Sequence, residues 1–178
     1  VPAEVVIETF VRGRTLEGIV DANQKVDRAV RGAAMAIGAT VEIETTPGYL
    51  PQTNDPTMSE LWGENVKSLY GEDQFYVEEH RTGSTDMGDL GHIMPVTHPY
   101  IFGASGTGHG NDYLMEDKEA VYVNMAKLLA MTAIDVLGEN GRKGREILTN
   151  TRPKLTKDEY LKFNRDMMQT TRFAPDSE

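Results

Sequence analysis

The sequence predicts an α/β fold built in two parts, and three observations support this prediction. Apolar residues recur at helical spacing in several segments, most clearly in residues 16–37 and 119–137. Short stretches of β-branched or alternating residues, which favour strands, lie among these helices. A segment with three prolines, residues 47–56, separates the first of these elements from the rest. We therefore expect one domain over residues 1–53 and a second over residues 54–178.

The first part is predicted to be a β-α-β unit. Residues 4–12 are rich in β-branched side chains and favour a strand. Thr15 is a suitable N-cap for the amphipathic helix that follows, and Gly38 is placed to end it. Residues 40–45 then alternate Val and Ile with Glu, as in a half-buried strand. These elements together give a β-α-β unit over residues 4–46.

The second part is predicted to be mainly helical. Its clearest helix covers residues 119–137 and ends at Gly138, which is a common residue at a helix C-terminus. Shorter helices are expected on both sides of it, together with two brief apolar strands. The expected helices are 57–70, 142–150 and 157–168, and the expected strands are 75–79 and 99–103.

Composition argues against several classes of protein. The formal net charge is −10 and no basic cluster offsets it, so binding to nucleic acid is not expected. The chain has no cysteine, so a transition-metal site must be built from His and carboxylate ligands. The longest apolar run, residues 121–137, is interrupted by polar residues, and no signal peptide is visible. We therefore expect a cytoplasmic protein without a membrane partner.

The glycine-rich run of residues 103–110 contains the most informative histidine. A His in such a loop, just before a helix, can present a ring nitrogen outward without crowding by side chains. A single His is not a metal site, and from the residues alone an ordinary loop position, in which His109 caps local backbone, is the expected interpretation. Asp112, Glu116 and Asp117 follow it closely, but they could simply favour the N-terminus of the next helix.

Other polar segments have simpler explanations. Residues 83–86, Gly-Ser-Thr-Asp, are typical of a helix or turn start in which side-chain oxygens accept backbone N–H bonds. Glu78 and Glu79 point to opposite faces of an extended segment, so the run from Glu78 to His80 is expected to be a solvated strand end. His92 and His98 are expected to be packing or surface residues. Neither a phosphate-binding loop nor a serine nucleophile elbow is present.

Three segments taken in order resemble the zinc-dependent aminoacylase and carboxypeptidase-type peptidases. They read VRGRTLEGIVDANQKVDRAVRGAAMAIGATVEIETTPGYLP, GSTDMGDLGHIMP and GTGHGNDYLMED, and a long helix follows them. The likeness is closest to the amidohydrolase branch with its aminobenzoyl-glutamate hydrolase-like members. It implies that residues 1–53 are the second half of an α+β lid and dimerisation domain. Residues 54–178 would then be the C-terminal part of an α/β dizinc-exopeptidase-like catalytic domain.

The resemblance also implies a chemistry and its residues. The family uses two zinc ions to hydrolyse an amide bond, here that of an N-acyl amino acid, aminobenzoyl-glutamate or a small peptide. The family's last zinc ligand falls on His109. Its other ligands and its general base precede the lid and are missing from this sequence. The implied substrate-binding residues are Ser84, Thr85 and Asp86 at the pocket, Gly106 and Gly108 for close approach, and Arg12 for a carboxylate.

Two functional readings follow from these residues. In the first, the chain is an inactive portion of a hydrolase that needs the N-terminal half of the same enzyme and is a homodimer when complete. In the second, it is a non-catalytic dimerisation or binding module that pairs with another chain through an exposed strand edge and needs no metal. For Arg12, a structural salt bridge remains an alternative to substrate binding.

Overall fold

The computed structural model describes residues 2–78 and 83–175. This part of the chain combines helices with small antiparallel sheets, so the predicted mixture of helix and strand, an α/β or α+β fold, is confirmed. In chain order the elements are α1 (Leu16–Ala36), β1 (Val41–Thr45), α2 (Pro56–Tyr70), α3 (Asp86–Ile93), β2 (Ala104–Ser105), β3 (Leu114–Met115), α4 (Met125–Asn150), α5 (Lys157–Met167) and β4 (Gln169–Phe173).

The described residues form two compact units. The first contains residues 2–52, 83–89 and 155–175, and the second contains residues 53–78 and 90–154. Two segments of the first unit therefore lie beyond the predicted boundary between residues 53 and 54. The assignment of these parts to a lid and a catalytic domain stays a prediction.

The first unit begins with a correction to the sequence analysis. No strand is assigned within residues 2–13, and large apolar side chains there are mostly exposed, including Val6 at 83% and Phe10 at 74%. β1 pairs instead with β4, antiparallel, with Val41 opposite Phe173 and Thr45 opposite Gln169. The β-α-β prediction is therefore wrong in its first strand. β-branched residues favour extended backbone, but a strand also needs a neighbouring strand to pair with.

The helix of this unit was predicted correctly. The Thr15 hydroxyl accepts a hydrogen bond from the Gly18 N–H at 3.0 Å, which caps the N-terminus of α1. Gly38 has a φ of +68°, the left-handed conformation that commonly follows a helix C-terminus. Local capping signals therefore set both ends of α1.

The second unit is centred on the packing of α2 against α4. Trp62, Val66 and Leu128 form its buried apolar cluster. Beside this cluster the Asn65 amide donates to the Thr132 hydroxyl at 3.2 Å and to the Asp135 carboxylate at 2.7 Å. The hydrogen bonds pair the buried side chains of Asn65 and Thr132, so the interface tolerates these polar groups at little cost.

The long C-terminal helical stretch runs from Glu119 to Asn150, with a π-helical start at Glu119–Asn124. Residues 138–141 depart from helical geometry, which confirms Gly138 as a stop and 142–150 as a separate helical segment. By length and composition this stretch could cross a membrane, and 17% of its most apolar window is buried. We had expected the polar residues within this stretch to exclude a membrane span, and by length and composition they do not. Core helices of globular proteins share this length and apolar composition with membrane spans.

The two brief strands predicted in the second part are not found among the described residues. Residues 72–74 form a 3₁₀ turn, residues 75–78 have no strand, and residue 79 lies outside the described ranges. The segment 99–103 is likewise irregular and leads into β2. Each lacks a partner strand to pair with. His92, in contrast, is 2% exposed in α3, and His98 is half-buried against Tyr100, as expected for packing residues.

Candidate functional site

The segment before α3 is fixed by backbone contacts to residues 50 and 51. Ser84 forms an isolated antiparallel bridge with Pro51, and the Leu50 N–H donates to the Asp89 carboxylate at 3.3 Å. The Thr85 hydroxyl accepts from the Met87 N–H at 3.2 Å. Gly88 lies so close to the Leu50 carbonyl that any side chain there would collide with it. These contacts confirm a helix start in this segment, and they hold Ser84 and Thr85 in place, both half-buried.

Arg12 and Ser84 line the same small depression. Its other walls include Ile19, Tyr49 and Pro51, and its volume is about 10 Å³. A space of this size holds about one water molecule. The structure therefore brings two of the predicted substrate-binding residues together, but in a depression smaller than a dipeptide.

The Arg12 side chain is exposed and its guanidinium lies 5.6 Å from the centre of the Phe10 ring. Within the described ranges no carboxylate lies at salt-bridge distance from it. The structural salt bridge considered for Arg12 is therefore not among the described ion pairs. Its guanidinium remains available to a carboxylate, which it can bind with two parallel hydrogen bonds.

His109 lies at the tip of the β2–β3 hairpin. Asp112 closes the loop, because its carboxylate accepts from the Thr107 N–H at 3.2 Å and from the Thr107 hydroxyl at 3.4 Å. Gly106 has a φ of +84° and packs against the Asp112 carbonyl, where a side chain would collide. His109 itself is exposed with a φ of +63°, a conformation that costs a non-glycine residue about 1–2 kcal/mol. The loop holds the imidazole outward despite this strain.

A metal site cannot be completed from the residues that the structure describes. No group of three or more His, Asp or Glu side chains is clustered there. Asp112, the carboxylate nearest His109 in sequence, already accepts hydrogen bonds from Thr107. An exposed imidazole suits one zinc ligand, whereas zinc takes three or four from a protein. His109 could thus supply one ligand, and the described residues place no further ligands beside it.

Sequence reasoning missed the structural roles of two acidic residues. Asp112 closes the His109 loop, and Asp55 caps α2 by accepting from the Met58 N–H at 2.9 Å. Asp55 is 6% exposed, and its second carboxylate oxygen accepts from the Thr151 hydroxyl. The Asp-Pro pair at positions 55–56 was a usable signal for the cap, since Pro is favoured in the first helical turn. The hydrogen bond between Asp55 and Thr151 could not be predicted from a short sequence window, because the two residues are 96 positions apart.

Comparison with known proteins adds the decisive observation. The chain is 28% identical over 145 residues to the Xaa-Arg dipeptidase of Mus musculus, and 28% identical over 138 residues to the Xaa-Arg dipeptidase of Homo sapiens. The chain is similar to dipeptidases. These matches cover 77% and 72% of the chain, so the likeness is not confined to one motif.

The same matches cover 34% and 31% of the two relatives, so the chain spans about one third of the length of the curated relatives it matches. No protein-family model and no solved structure matches it significantly. The likeness supports a peptidase family, and hydrolysis of a peptide bond is the activity that the relatives' names suggest.

Proposed function

We propose that this chain is part of a metal-dependent dipeptidase whose remaining zinc ligands and general base lie in polypeptide outside it. The observation that carries the proposal is the similarity over most of the chain to two proteins named Xaa-Arg dipeptidase. Dipeptides with a C-terminal arginine are therefore the first substrates to test, ahead of the N-acyl amino acids and aminobenzoyl-glutamate implied by the resemblance. A net charge of −10 also favours a cationic peptide over an anionic one.

The surroundings of His109, Arg12, Ser84, Thr85 and Asp86 allow the following roles in this proposal. His109 would be one zinc ligand, because its exposed ring is held outward by the Asp112-closed loop. Arg12 would bind a carboxylate beside the half-buried Ser84, with which it lines one depression. Thr85 caps α3, and the exposed Asp86 in its first turn would face solvent or substrate. The predicted homodimer and cytoplasmic location remain part of the proposal.

The test uses the product of the complete gene, purified with its metal content measured and assayed for release of free arginine from Ala-Arg. We expect about two zinc ions per chain, and we expect His109→Ala to reduce the rate by 100-fold or more, since even outer-shell partners of metal ligands cost about 10–100-fold. His98→Ala is the matched control, because His98 packs against Tyr100 and precedes the glycine-rich run of residues 103–110. Unchanged hydrolysis in His109→Ala would refute this role of His109.

A further inference from the structure

The helical stretch that begins at Glu119 carries apolar residues over most of its circumference as far as residue 137, apart from a strip with Asn124, Lys127 and Asp135. The side that contacts α2 is buried, with Leu128 at 0% and Thr132 at 7% exposure. A helix that is apolar all round is normally buried on all sides, in a large core or in a membrane. Among the described residues of the second unit, only one side of this helix is covered.

The opposite side carries an exposed apolar surface, here called the outer face. It is formed by Tyr122 at 59%, Val123 at 46%, Leu129 at 53%, Ile134 at 68% and Leu137 at 71% exposure. Exposed alanines 126, 130 and 133 fill the spaces between them. From residue 126 to residue 137, steps of three and four residues place these side chains on one side of the α-helix, along about 17 Å of its length. A contiguous apolar surface of this kind marks an interface.

We propose that the outer face packs against the polypeptide that makes up the rest of the peptidase, outside the present chain. This inference rests on the proposed function. The matched relatives extend well beyond the match, which covers only 34% and 31% of their length. The partner surface is therefore an apolar layer of helix or strand side chains from the larger remainder of the same enzyme.

A lipid bilayer fits the outer face less well. The same helix carries Asp135 bonded to Asn65 of α2, and α2 itself exposes charged side chains such as Glu64 at 65%. A bilayer around this helix would also enclose the charged side chains of its packing partner, which is unfavourable. The helix is interrupted at Gly138–Gly141, and Arg142, Lys143 and Arg145 follow.

A second copy of the chain also fits less well. The homodimer of the proposed function is assigned to the dimerisation domain over residues 1–53, whereas the outer face belongs to the second unit.

The absence of cysteine gives a direct test, because each substitution introduces the chain's sole thiol. Ile134→Cys reports on the outer face, and Glu64→Cys is the matched control on α2. The rate of maleimide labelling is read by mass spectrometry of the peptide that contains each position. We expect both thiols to react at similar rates in the 178-residue chain. In the product of the complete gene, we expect position 134 to react at least about tenfold more slowly while position 64 is unchanged.

Each other outcome overturns the proposal. Equal labelling of position 134 in both proteins would show an uncovered face, and a complete gene that encodes no further chain would remove the partner. Protection of the isolated chain that grows with its concentration would indicate a second copy. Protection only with phosphatidylglycerol vesicles would indicate a membrane. If Ile134→Cys fails to fold by circular dichroism, hydroxyl-radical footprinting of Leu129 and Leu137 in the unsubstituted protein gives the same readout.

The same preparation is assayed for release of arginine from Ala-Arg. Protection of position 134 without hydrolysis would uphold the packing inference and reject the dipeptidase proposal. Hydrolysis of Ala-Arg with position 134 unprotected would uphold the dipeptidase proposal and reject the packing inference. The two measurements therefore distinguish failure of the packing inference from failure of the dipeptidase proposal.

Discussion

At the scale of single residues, Gly106 and Gly108 were both predicted to allow close approach of substrate, and the structure separates them. Gly106 is required by the loop itself, because its φ is +84° and a side chain there would collide with the Asp112 carbonyl. A side chain at Gly108 would meet no atom within 4 Å. Only Gly108 therefore leaves room for another molecule.

This difference predicts opposite results for two alanine substitutions. Gly106→Ala should displace the His109 loop and lower the free energy of unfolding of the second unit by about 1–3 kcal/mol. Gly108→Ala, its matched control, should leave stability near that of the wild type in urea denaturation. Equal losses in both variants would contradict the role assigned to Gly106. In the complete enzyme, a raised KM for Ala-Arg in Gly108→Ala would support substrate contact there.

The residues that the sequence could identify are those whose signals are local. Glycines around His109 and hydroxyls before α3 stand out because they lie within a few positions of the feature they build. Asp55 and Thr151 are in contact although they are 96 residues apart in sequence. Asn65 of α2 and Asp135 of α4 are likewise 70 residues apart. Such pairs depend on tertiary packing, so no short window of sequence contains both partners.

At the scale of elements, the same distinction explains why helices were predicted better than strands. The ends of α1 and α2 are set by Thr15, Gly38 and Gly71, all adjacent to the segments they bound. β4 was not predicted, and the expected strand in residues 4–12 is absent. β1 pairs with β4, which lies near the other end of the chain. Pairing between such distant segments has no local signal in the sequence.

The N-terminus of α5 carries a pH-dependent contribution to stability. Thr156 and Glu159 form a capping box in which the Glu159 carboxylate accepts from the Thr156 backbone N–H at 2.7 Å and from its hydroxyl at 2.8 Å. These hydrogen bonds lower the pKa of Glu159 below its usual value of 4.5. A lowered pKa in the folded state means that the contribution is present above that usual value and is lost as pH falls through the folded pKa.

We therefore expect Glu159→Gln to flatten part of the decline in thermal midpoint between about pH 5 and pH 2. Asp158→Asn is the control, because it also removes a carboxylate from the first turn of α5 but takes no part in the capping box. The measurement is thermal unfolding followed by circular dichroism over this pH range. An identical slope for Glu159→Gln and the unsubstituted chain would contradict the capping contribution.

At the scale of the whole molecule, each unit is assembled from segments that are distant in sequence. The prolines of residues 47–56 predicted a change of packing unit near residue 53, and the second unit begins there. The return of residues 83–89 and 155–175 to the first unit could not be predicted, because membership in a unit depends on pairing such as that of β1 with β4. Hydrophobic periodicity reports which side of an element is buried but not what buries it.

This organisation predicts a selective effect of truncation after Lys154. The shortened chain loses α5 and β4, so β1 is left without its partner strand, whereas α2 and α4 keep all the segments of the second unit. We expect hydrogen exchange of residues 41–45 to approach that of an unstructured chain, while amides of α2 and of residues 125–137 retain their protection. A chain that ends at Phe173 keeps β4 and should behave as the full chain does. Protection of β1 that survives truncation would mean that another segment replaces β4, and loss of protection in α2 and α4 would mean that the second unit depends on the first for its stability.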